Sequence, residues 1–113
     1  MVIPVTPPTE VVLGTLTAPV TAGQTLQLAY TTSIVFATNA NNSINLSLRF
    51  YVNGVLLDSR TYNSSFSTAS TYRRPISEIT GTATIEVRAI VNSESNITTV
   101  SGLNTDINIL RIG

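Results

Sequence analysis

Ile44-Asn45-Leu46-Ser47-Leu48-Arg49-Phe50-Tyr51-Val52-Asn53-Gly54-Val55-Leu56-Leu57-Asp58 is the stretch that decides the fold. Ile44, Leu46, Leu48, Phe50 and Val52 alternate strictly with Asn45, Ser47, Arg49, Tyr51 and Asn53. That is the period-two pattern of a strand with one buried face. Asn53-Gly54 then supplies the positive φ angles that a two-residue type I′ turn requires. A hairpin closed there pairs Val52 with Val55, Tyr51 with Leu56, Phe50 with Leu57 and Arg49 with Asp58. The opposite-charge pair is worth about 0.2–1 kcal/mol, and a slip of one residue would turn every side chain to the wrong face.

The same period recurs on both sides of this hairpin. Leu26, Leu28 and Tyr30 share one face of Gln24–Tyr30; Ala83, Ile85, Val87, Ala89 and Val91 point inward from Thr82–Val91, with Thr84, Glu86 and Arg88 outward. Shorter strands are expected at Val11–Thr17, Ile34–Phe36 and Ile97–Val100. Tyr72–Ile76 is extended, because Pro75 disfavours helix at Arg74. Turns are expected at Ala18-Pro19, Ala22-Gly23, Asn39–Ser43, Ser77–Gly81, Asn92–Asn96 and Ser101-Gly102, with Asn63–Ser70 a loop or weak edge strand.

The closing segment, Leu103–Ile112, is apolar on both faces, with Ile107 and Ile109 on one side and Leu110 and Ile112 on the other. Such a strand belongs in a central sheet position or in a subunit interface. About eight short strands with turns every 8 to 12 residues predict an all-β fold, a two-sheet antiparallel jelly-roll sandwich.

Three prolines among the first eight residues exclude a helix there and favour an extended arm. Residues 1–9 are therefore read as a connector arm and 10–113 as the β-sandwich domain. Val2, Ile3 and Val5 make the arm apolar enough to dock into a neighbouring subunit.

Composition narrows the function. Charged residues make up 11% of the chain, six arginines balance six carboxylates, and Ser, Thr and Asn supply polarity without charge. No basic stripe marks a nucleic-acid binder. Lysine, the usual guard on exposed sheet edges, is absent, which points to edges that are meant to be covered. The start lacks the basic and long apolar regions of a secretory signal, and no apolar run reaches the ~20 residues of a membrane span. Delivery to the surface of a spore or particle without a secretory signal is the expectation, with no membrane insertion.

Enzyme chemistry has little to work with. Twelve serines have no histidine, lysine or cysteine to activate them, and cysteine or histidine metal sites are impossible. Glu78 and Glu86 are the nearest candidates for a carboxylate pair, but Glu86 lies beside Arg88 on a solvated strand face. Asp58 and Asp106 are isolated, so no calcium loop is formed. No catalytic residue, metal or cofactor is expected. Sequons at Asn41, Asn45, Asn63 and Asn96 arise readily in a chain this rich in Ser, Thr and Asn. Tyr51, Tyr62 and Tyr72 suit either a sugar-binding groove or a subunit interface.

The hairpin Leu48–Gly54, the strand Gly81–Val87 and the terminal strand Ile107–Ile112 together resemble compact jelly-roll domains of bacterial spores and phages. One such family is the endospore appendage subunits, whose N-terminal connector docks into the next subunit of a fibre. That resemblance implies self-assembly by strand addition, with copies of itself and an anchoring or tip protein as partners. Appendage connectors carry cysteines; this chain has none, so its fibre would be held non-covalently. The chain also resembles the tumour-necrosis-factor-like trimeric tips of exosporium hair and phage fibres. That implies a homotrimeric receptor- or glycan-binding domain with the last strand as its seam.

Overall fold

A computed structural model describes residues 1–5, 9–21, 24–63, 66–76 and 81–112. The fold is all-β and antiparallel, with five strands: β1 (Val11–Val20), β2 (Gln24–Val52), β3 (Val55–Tyr62), β4 (Phe66–Ile76) and β5 (Gly81–Ile112). They form one sheet in the order β1-β5-β2-β3, with β4 also paired to β2.

The backbone of the fold is the ribbon of β2 and β5, which runs from Val52↔Ile85 to Thr25↔Ile112. A straight strand of 29 residues would span about 96 Å, yet the longest dimension of the molecule is 51 Å. The ribbon therefore folds over on itself. Tyr30 and Phe50, at opposite ends of the same strand, bring their rings to 5.1 Å at a 59° tilt.

Two layers result. One contains β1, residues 81–91 of β5, residues 44–52 of β2, and β3; the other contains residues 97–112 of β5, residues 24–38 of β2, and β4. A methyl group at Gly14 of β1 would lie 2.9 Å from Thr105 Cγ2, so the layers touch at that point too.

All the alternating residues expected to face inward on β2 and β5 are buried, from Leu26, Leu28 and Tyr30 through Ile44–Val52 to Ala83–Val91. Burying a side chain such as Leu28 or Ile85 contributes about 1.5–3 kcal/mol, and these residues form one continuous core.

The division into about eight short strands is replaced by five strands, two of them long. Asn39–Ser43, Asn92–Asn96 and Ser101-Gly102 do not end the strands, which run on through them, although the β2–β5 register steps directly from Thr38↔Ile97 to Ser43↔Ser95. Register shifts absorb the extra residues, and Asn41, Asn96 and Asn104 take φ angles of 57°, 57° and 52°. Asn96 Nδ2 donates to the Asn41 carbonyl at 3.1 Å across the bend. Here polar residues mark where two paired strands bend together, since asparagine tolerates the left-handed region that the bulges need. Phe66–Ser70 belongs to β4, on the edge of its layer. The turns expected at Ala22-Gly23 and at residues 77–80 lie outside the described residues.

The Asn53-Gly54 turn forms as expected, with φ of 49° and 79°, and pairs Val52 with Val55 and Tyr51 with Leu56. The next two pairs differ. A bulge at Leu57 places Asp58 opposite Phe50 and Ser59 opposite Arg49, so the expected Phe50–Leu57 and Arg49–Asp58 pairs do not form. Asp58 instead bonds Arg60 at 3.1 Å. Val55-Leu56-Leu57 is apolar throughout, so hydrophobic alternation cannot say which residue is doubled; the bulge lets Leu57 pack on the core.

The turn is also clasped to β5. The Asn53 N–H donates to the Thr84 carbonyl at 2.9 Å, and the Thr84 N–H donates to Asn53 Oδ1 at 2.7 Å. Asn53→Ala is expected to cost about 1–2 kcal/mol, read as a lower urea midpoint, because it loses this acceptor at a positive φ angle.

Candidate functional site

The arm lies on the outer edge of β5. The Ile3 N–H donates to the Val100 carbonyl at 2.8 Å, and the Gly102 N–H donates to the Met1 carbonyl at 2.8 Å. Between them Val2 bridges Ser101 in antiparallel sense. The ladder alternates the side chains: Ile3 points into the core at 1% exposure, while Val2 stands out at 66%. Glycine at 102 gives Leu13 its place beside the Ile3 pocket. A methyl there would meet Leu13 Cδ2 at 2.9 Å, Ile34 Cδ1 at 3.6 Å and Ile3 Cδ1 at 3.9 Å, so three side chains from three segments converge over that α-carbon. Val5 packs against the same core, half-buried.

The root of the arm is fixed electrostatically. Glu10 immediately precedes β1, and its carboxylate accepts from Arg49 Nη1 at 2.7 Å, Tyr51 Oη at 3.1 Å and Arg88 Nη1 at 3.0 Å. Arg88 Nη2 donates to Glu86 at 2.7 Å, and its guanidinium lies 4.1 Å above the centre of the Tyr51 ring. Arg88 Nε is buried with no hydrogen-bond partner among the described residues.

Burial acts to raise the Glu10 pKa, but the hydrogen bonds from Arg49, Arg88 and Tyr51, with the Arg49 charge, outweigh it and hold the carboxyl below its ordinary value. Hydrogen bonding to Glu10 correspondingly raises Arg49, and bonds to Glu86 and then Glu10 raise Arg88.

Because the folded-state pKa of Glu10 is depressed, its contribution is fully present above the unfolded-state value of about 4.3 and is lost as pH falls through the folded value. Glu10→Gln is expected to cost about 1–2 kcal/mol at pH 7 and to flatten the decline in stability below about pH 5. Urea titrations of both proteins from neutral to acidic pH check this; parallel profiles would exclude the assignment.

The terminal strand separates its two apolar sides. Ile107 and Ile109 turn toward the molecule's own core, and Leu110 stands out at 58% exposure. Ile112 pairs with Thr25, and its side chain lies outside those described. Tyr51 and Tyr62 do not share a groove: Tyr51 lies under Arg88 on the outer face, while Tyr62 packs on the core side opposite Leu46. The Tyr72 side chain is outside those described.

Sequence reasoning missed the role of Glu10. Its partners lie 39, 41 and 78 residues away, and only the outward positions of Arg49, Tyr51 and Arg88 were legible. Comparison with protein-family models, curated proteins and solved structures finds no match to this chain.

Proposed function

We propose that the chain is a structural, non-catalytic subunit that self-assembles non-covalently into a surface fibre, its N-terminal arm docking into a neighbouring copy by strand addition. The observation that carries this reading is the arm itself. It is a short edge strand with one deeply buried anchor, Ile3, held by backbone bonds to β5. It joins the domain through Thr6-Pro7-Pro8-Thr9, and Glu10 pins the root. The same bonds and the same Ile3 pocket serve an arm from another copy equally well. Two consecutive prolines in the linker sequence favour such exchange, and a repeated head-to-tail exchange that does not close makes a filament.

The pairing order supports a jelly-roll reading of the fold. With the arm counted as a strand, one layer runs arm, β5, β2, β4 and the other β1, β5, β2, β3. Two four-stranded layers woven by the same two long strands match that architecture.

Negative-stain imaging of the full chain and of a variant lacking residues 1–8 tests the proposal. Fibres from the full chain, absent from the truncation and capped by an added peptide of residues 1–8, are the expected result. Fibres from a truncated chain would sink it.

A further inference from the structure

We infer that the outer edge of β5 from Thr105 to Ile109 pairs with the same edge of a second copy, antiparallel about a twofold axis at Ile107. The arm's ladder reaches Gly102, and no other described residue pairs with Leu103–Ile112 on that side. The vacancy shows in the packing. Leu28 and Tyr30 of β2 are 0% and 3% exposed, yet Ile109 and Ile107 directly opposite them are only partly buried.

The other sheet edges carry recognised defences against strand addition. On β1 there is a bulge between Val12 and Gly14 and a proline at 19. On β3, Asp58 and Arg60 stand opposite Phe50 and Leu48, hence on the inward face, as a charged pair. On β4, Pro75 stands opposite Thr25. Leu103–Leu110 opens with an irregularity of its own, at Asn104 with φ of 52°; beyond it, Thr105–Leu110 has no proline and no lysine, and its one charge, Asp106, is on the outward face. From Asp106 onward its register with β2 is unbroken.

The occupant follows from self-complementarity. Pairing about Ile107 sets Ile107 against its own copy, Thr105 against Ile109, and Asp106 against Asn108. The last pair occurs twice, and each time it presents a carboxylate acceptor to an amide donor. A twofold centred on residue 106 would instead oppose two carboxylates. Ile107 and Ile109 would gain the cover they lack, and the layer would continue from one copy into the next. The arm's bonds end at Gly102, whichever copy supplies the arm, so this contact is independent of arm exchange and would link fibres or free subunits alike.

The chain contains no cysteine, so single-cysteine variants report the contact directly. In the full-length protein under mild oxidation, Ile107→Cys should form a disulfide-linked dimer, whereas the exposed Leu103→Cys should not. Adding Asn108→Asp to Ile107→Cys opposes Asp106 with a second carboxylate twice per interface and should lower the yield about tenfold. Adding Asp106→Asn as well should restore it. Asn108 is exposed, and circular dichroism confirms that each variant is folded. Equal crosslinking at 103 and 107, no effect of Asn108→Asp, or no rescue by the exchanged pair would each overturn the inference. Fibre imaging reads arm docking separately, so either reading can fail alone.

Discussion

Replacing Phe50 with alanine is expected to cost about 3–5 kcal/mol, the upper range for a single core truncation. Phe50 is 2% exposed and sits on β2 in one layer, with its ring tilted against Tyr30 of the other layer at 5.1 Å. Truncation therefore leaves a cavity between the layers and removes an aromatic contact worth about 0.5–1.5 kcal/mol beyond its area. For a chain of this length each kcal/mol shifts the melting temperature by about 4–8 °C, so a fall of more than about 10 °C should be seen by calorimetry. Phe50→Leu should recover most of it. A loss below about 1 kcal/mol would mean that the layers are not joined at this ring.

Ile3→Ala should cost about 2–5 kcal/mol, whereas Val2→Ala, one residue earlier, should stay within about 0.5 kcal/mol. The contrast comes from exposure, 1% against 66%. Few terminal segments carry so steep a difference between neighbours, because most are not tied into a core. Urea unfolding of the two variants checks it, and protein concentration adds a second reading. If the arm is exchanged between copies, the wild-type midpoint rises with concentration, and Ile3→Ala reduces that dependence. Equal effects at Val2 and Ile3 would place the arm off the domain.

How much was legible depended on whether a residue's role is set by its neighbours in sequence or by partners far away. Alternation alone identified the inward faces of β2 and β5, because burial of one sheet face imposes a period that no other element shares. The Asn53-Gly54 turn was legible for a similarly local reason. The bulge at Leu57 was not, since three consecutive apolar residues fit either register. Asn39–Ser43 and Asn92–Asn96 carried genuine backbone signals, but a bend shared by two paired strands uses the same residues as a chain reversal. From sequence, Glu10 marks only the first residue of the domain. Its clasp on Arg49 and Arg88 depends on which strands become neighbours, and that is a property of the whole sheet. The arm's apolar character was visible at Val2, Ile3 and Val5, but which of them is the anchor depends on the register in which the arm meets Val100–Gly102.

The long ribbon has a kinetic cost. Since Thr25 finds its partner in Ile112, β2 must wait for the last part of the described chain before its ladder can be completed. Closing so large a loop is entropically slow, and all-β domains dominated by such distant pairings fold in milliseconds to seconds. During synthesis the apolar face of β2 would emerge from the ribosome well before β5, and would need shelter from neighbouring nascent chains.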